Sequence, residues 1–115
     1  MSDAKHTPGP WRAGTEQGLS YHLSPRIPIL RDANGTTYAI GEVSYPTTPY
    51  GTNGAEQRAA NARLIAAAPE LLAALEDMLG GWRYIRQAHG DLYGVGWDRA
   101  QDAAEKAIAK AKGES

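Results

Sequence analysis

The chain has 115 residues, 42% of them hydrophobic, which is enough for one modest core and too apolar for a disordered chain. It has no cysteine, which excludes a disulfide framework and a thiolate metal site and fits a reducing cytoplasm. Twelve basic and thirteen acidic side chains give a net charge of -1, so the basic excess that duplex DNA binding ordinarily needs is missing. A small anion needs only two or three placed arginines and stays open. No apolar run approaches the length of a membrane span, and the first residues lack the apolar stretch of a signal peptide. A cytoplasmic protein without membrane contact is expected.

Residues 1–10 read as an extended arm, because Pro8 and Pro10 fix φ and push their predecessors out of helical space. Trp11 is the expected anchor of that arm on the core. Two strands are predicted over Ile27–Arg31 and Thr36–Val43, rich in β-branched and aromatic residues. Asn34-Gly35 between them is a hairpin-turn signal, since both residues tolerate positive φ. Pro28 places the first of these strands at a sheet edge. In the second, apolar alternation changes phase across Gly41, which predicts a bulge. Residues 44–54 read as a long polar loop, with Tyr45 and Tyr50 as its aromatics.

Asn53 and Glu56 have the spacing of a capping box, so a first helix should start there and run to about Ala67. Pro69 fits the first position of a second helix, with Glu70 complementing its positive end. Leu71, Leu72, Leu75, Met78 and Leu79 give that helix an apolar stripe, and Gly80-Gly81 should stop it. A last helix, capped by Asp98, carries an alanine-dominated stripe of Trp97, Ala100, Ala104, Ala107, Ile108 and Ala111. The class is α+β in a single domain: an N-terminal antiparallel sheet over about residues 11–45, then helices over 55–112.

The sequence offers little catalytic chemistry. His6, His22 and His89 stand far apart in no metal-ligand spacing, and Glu76-Asp77 are neighbours about 100° apart on a helix rather than a facing acid–base pair. No serine lies in a nucleophile elbow, and Gly90-Asp-Leu-Tyr-Gly-Val-Gly96 lacks the residues of a phosphate loop. No enzyme, metal or cofactor is expected. Arg58 and Arg63 on the first helix and Arg83 and Arg86 around Tyr84 are more useful, because a guanidinium grips phosphate bidentately and a tyrosine face stacks on a base. Their plainer reading is solvated helix surface paired with equally numerous carboxylates. Asn61, a mediocre helix former among alanines, bonds either a loop carbonyl or the edge of a base. Six tyrosines and three tryptophans without a phenylalanine, together with the alanine-faced last helix, predict a homo-oligomer.

Two segments carry a resemblance. Asn61-Ala-Arg-Leu-Ile-Ala-Ala-Ala-Pro-Glu-Leu-Leu72 and His6-Thr-Pro-Gly-Pro-Trp11 resemble a signature of small phage and prophage proteins. A similar strand-rich front followed by such a helix occurs in the Thoeris anti-defence sponges. That resemblance implies a phage protein in the host cytoplasm that sequesters a cyclic nucleotide-derived immune signal without cleaving it, in pockets at subunit contacts. On that reading Tyr50 stacks on a base, Asn61 reads its edge, and Arg26, Arg58 and Arg83 hold phosphates. The alternative is a protein-interaction module that masks a host or phage protein. A structural accessory of the virion or replication machinery is a third.

Overall fold

A computed structural model describes residues 6–18, 25–44, 54–89 and 95–114. In chain order the elements are β1 (Arg12–Ala13), β2 (Ile27–Ala33), β3 (Thr36–Val43), α1 (Gly54–Ala66), α2 (Ala68–His89) and α3 (Val95–Ala111). The class is α+β, as expected, with a three-stranded antiparallel sheet in the order β1-β2-β3 preceding the helices. The chain divides into two compact units, one of residues Thr7–Pro69 and one built on Glu70–Ser115. Asn53, Tyr45, Tyr50, His22, Gly90 and Gly94 lie outside the described residues.

In the N-terminal unit the hairpin forms where Asn34-Gly35 predicts it. Asn34 takes φ 53° and Gly35 φ 78°, the left-handed pair that matches the twist of the flanking strands. The predicted bulge is present: Ile29 pairs with Gly41 and Leu30 with Ala39, which leaves Ile40 as the extra residue. The edge position expected for β2 is wrong, because β2 is the central strand. Pro28 is tolerated there because its carbonyl, accepting from the Gly14 N–H at 2.8 Å, faces the chain just beyond the two-residue β1. The missing N–H points to that same side, where the regular ladder has already ended.

Ile27 and Ile29 point to one face of the sheet and pack with Val43 against Ala62 and Ala66 of α1. Arg58, Ala62 and Ala66, spaced four apart, form the buried stripe of α1. Alanine at two of those positions lets the helix lie close to the isoleucines. Trp11 packs against this cluster, and its indole N–H donates to the Thr7 carbonyl at 3.2 Å, so the arm is anchored as expected. A Cβ on Gly9 would come within 2.9 Å of the Pro69 ring. The His6–Trp11 arm and the Pro69 junction therefore touch, and Gly9 is what permits it. The peptide between Gly9 and Pro10 is cis. α1 ends at Ala66, Ala67 forms a turn, and Pro69 is the second residue of α2, so the predicted break at the proline is present.

The C-terminal unit departs from expectation at the double glycine. α2 runs through Gly80-Gly81 to His89 instead of stopping. Each glycine costs a helix interior about 1 kcal/mol relative to alanine, but ion pairs to α3 hold α2 on both sides of them. Lys112 meets Glu76 at 2.6 Å before the glycines, while Arg83 meets Glu105 at 2.9 Å and Arg86 meets Asp98 at 2.8 Å after them. Arg86 also donates to Gln101 at 2.8 Å and lies 6.0 Å from the Trp82 ring centre. Tertiary pairing overrides the local stop. α3 likewise starts at Val95 rather than at Asp98, which sits in its first turn. The predicted Asp102–Lys106 pair forms at 3.0 Å.

The expected five-residue stripe of α2 splits in two. Leu79 is buried beside Ile108 and Ala109, and Leu72 and Leu75 are half-buried, but Leu71 and Met78 face outward. On α3 Asp98, Gln101, Ala104, Glu105, Ile108 and Ala109 are half-buried, while Ala100, Ala107 and Ala111 of the expected stripe are exposed.

Candidate functional site

Two grooves open on the N-terminal unit. The first, about 470 Å³, runs between the end of β3 and α1 and is lined by Glu42, Val43, Ser44, Asn61, Leu64 and Ile65. Its helix wall is the Asn61–Ala66 end of α1. Ala62 and Ala66 turn that segment's small side toward the sheet, so Leu64 and Ile65 are carried outward, and Leu64 is 64% exposed. Leaving large aliphatic side chains in water forgoes the burial that would stabilise them, by roughly 1–2 kcal/mol each. Next to this groove the outer edge of β3 pairs with no strand among the described residues.

The second groove, about 610 Å³, lies on the sheet face turned away from α1, where Pro28 and Leu30 point. Arg12 and Arg26 line it with Thr15, Gln17 and Glu42. Gly14 forms part of its wall, and a Cβ there would come within 2.9 Å of both Leu30 and Pro28 side chains. Both arginines have carboxylate partners. Arg26 reaches Glu42 at 3.4 Å, and Arg12 grips Asp32 through Nε at 2.8 Å and a second nitrogen at 3.2 Å.

Asp32 also accepts from the Thr37 hydroxyl at 2.6 Å. The bond from Arg12, then that from Thr37, favours its charged form and lowers its pKa from 3.8 to about 2. A folded-state pKa below the unfolded one stabilises the fold above the unfolded value and loses that contribution as pH falls through the folded one. The hairpin should therefore keep this stabilisation at pH 4 and above and lose it between 3.8 and about 2. A carboxyl-carbon NMR titration of Asp32 checks the value. Asp32→Asn should flatten the acid limb of the stability profile in that window.

The five residues assigned to ligand binding from the sequence are not gathered at one place. Asn61 lines the first groove and Arg26 the second, with Glu42 belonging to both linings. Tyr50 lies outside the described residues. Arg58 is buried, its side chain only 5% exposed, and both its Nε, at 2.6 Å, and a terminal nitrogen contact one oxygen of Glu16. It ties α1 to the segment after β1. Arg83 belongs to the C-terminal unit and pairs with Glu105, whose pKa is lowered by the bonds from Arg83 and from Gln101. Sequence reading passed over Arg12, Glu16 and Glu42, because their partners lie sixteen or more residues away and leave no local pattern. Among the described residues no three acidic or histidine side chains cluster as metal ligands, and no helix is long and apolar enough to cross a membrane.

Residues 1–115, the whole chain, match the family model described as Salmonella phage P22 protein Y8K6. The chain belongs to this family. It is thus a phage protein by descent. No curated protein and no solved structure matches it.

Proposed function

We propose that this phage accessory protein acts by stoichiometric binding, and that it takes an extended protein segment on the β3 edge and the groove beside it. The observation that carries this reading is the outward placement of Leu64 and Ile65 next to Val43 and a β3 edge that pairs with no strand among the described residues. An added strand gains main-chain hydrogen bonds from β3, and its alternate side chains enter the groove. Among the described residues Glu42 is the only charged one lining that groove, so the fitting segment carries aliphatic side chains and a lysine or arginine. Phosphate meets no counter-charge among those described residues. This is the masking function expected of a protein-interaction module.

Sequestration of a cyclic nucleotide-derived signal, the function implied by the likeness to Thoeris anti-defence sponges, is the second reading. What favours it is the other groove, where Arg12 and Arg26 stand within reach of a bound anion. Such a ligand must compete with Asp32 and Glu42 for both guanidinium groups. One pair of variants separates the readings. Leu64→Glu with Ile65→Glu should abolish capture of the protein's partner from infected cells while the melting temperature stays unchanged. Capture of the same set by wild type and variant would sink the groove. In calorimetry against cyclic di- and trinucleotides and cyclic ADP-ribose isomers, binding lost in Arg26→Ala but kept in the groove variant would move the function to sequestration.

A further inference from the structure

From Leu71 onward α2 carries an exposed face that is patterned. Leu71, Ala74, Met78, Gly81, Ile85 and Ala88 recur at alternating steps of three and four along the helix, all of them exposed, with Met78 at 72%. That is the spacing of a helix–helix seam over three heptads, and it alternates large with small. α3 does not use it, because the contacts of α2 with α3 run through Glu76, Leu79, Arg83 and Arg86 on the other side.

The order of sizes points to one occupant. If two copies of α2 lie antiparallel about a two-fold axis between Leu79 and Gly80, Leu71 of one faces Ala88 of the other. Met78 then faces Gly81, and Ile85 faces Ala74. Each large side chain meets a small one, and the same axis satisfies all three pairs. A parallel pair would set large against large at every other layer. The axis also brings Asp77 beside Tyr84 of the second copy, where the phenol hydroxyl can donate to the carboxylate, and both residues are exposed. Antiparallel helices further set the positive end of one dipole by the negative end of the other.

The glycines supply an independent reason. Gly80 and Gly81 weaken the middle of a 22-residue helix, yet among the described residues a Cβ on either would meet nothing within 4 Å. A second helix crossing at this point would give them a use, since its Met78 would need a hole at Gly81.

We propose that α2 is a homodimer interface, an antiparallel pair about that axis, with Leu71, Met78 and Ile85 of each copy seated on the small residues of the other. This does not rest on the binding function proposed above. Three heptads from one helix per copy lie at the small end of specific interfaces, so a reversible dimer in the micromolar range is expected.

The full chain contains no cysteine, so introduced thiols report cleanly. In the antiparallel pair, like positions near the seam ends sit ~25 Å apart along the helix. Leu71→Cys and Ala88→Cys should each stay uncross-linked alone under mild oxidation, and an equal mixture should form the covalent heterodimer. Self-cross-linking of either variant, to the extent seen in the mixture, would overturn the antiparallel register. Gly81→Met sets a large side chain against Met78 and should weaken the dimer at least about tenfold in sedimentation equilibrium, with helicity retained by circular dichroism. Adding Met78→Ala reopens the hole and should restore affinity to within about threefold of wild type. Failure of that rescue, or a wild-type mass of 12.3 kDa at about 100 micromolar, rejects the interface.

Discussion

Arg58→Ala is expected to destabilise the N-terminal unit by about 2–3 kcal/mol, with a fall in Tm of roughly 10 °C. Removing one member of a buried ion pair leaves the other without its counter-charge, which for fully buried pairs costs about 3–5 kcal/mol. The value here is set lower because Glu16 keeps 28% of its side chain in solvent and recovers part of its hydration. The guanidinium also fills space beneath α1, one turn before Ala62, so alanine loses packing as well as charge. Urea denaturation of the variant beside Glu16→Gln gives the measurement. The two single changes should cost comparable amounts, and the double change less than their sum, because they remove one interaction. Unchanged stability together with lost affinity for a nucleotide would instead return Arg58 to the ligand site named from the sequence.

Ile29→Ala should cost about 3 kcal/mol, within the range for truncating a buried isoleucine. Ile29 is 3% exposed in the central strand, and the helix side chains facing it are alanines. Alanines have no length with which to fill a void, so the site collapses poorly and the cavity stays. Ile29→Val should cost about 1 kcal/mol. Denaturant midpoints of the two variants, with the slope unchanged, test this. A cost below 1 kcal/mol for the alanine variant would mean that α1 moves in to close the gap. A net stability of about 5–15 kcal/mol is typical of a domain, so either change removes a large share of it.

Much of the local structure was legible in the chain. Asn34-Gly35 announced the hairpin because positive φ is a property of those residues wherever they stand. The phase change across Gly41 announced the bulge because side chains alternate along any strand. Pro69 announced the break between helices because it has no N–H to give. Pro28 misled for an instructive reason. The rule that sends proline to sheet edges concerns a missing donor, and the central strand has a place for it where β1 is only two residues long. Gly80-Gly81 misled for another. Glycine is a weak stop, about 1 kcal/mol per residue, and α2 continues through both with ion pairs to α3 on either side.

The candidate site was less legible. Asn61 is an odd residue for its helix and lines a groove, but the neighbours that make the groove come from β3, about twenty residues earlier. The arginines were visible as candidates; their partners were not. Arg58 with Glu16, Arg26 with Glu42 and Arg83 with Glu105 join positions sixteen or more residues apart.

By itself, then, the sequence determined the α+β class, the hairpin and its bulge, the hinge at Pro69, and the absence of thiolate chemistry. Each follows from dihedral preference, side-chain period or composition, which a residue carries wherever it is placed. Which arginine lies buried on Glu16, which face of α1 is outside, and which half of the α2 stripe is left bare come from packing across space. Those depend on what a side chain meets across space, and the spacing along the chain does not encode that meeting.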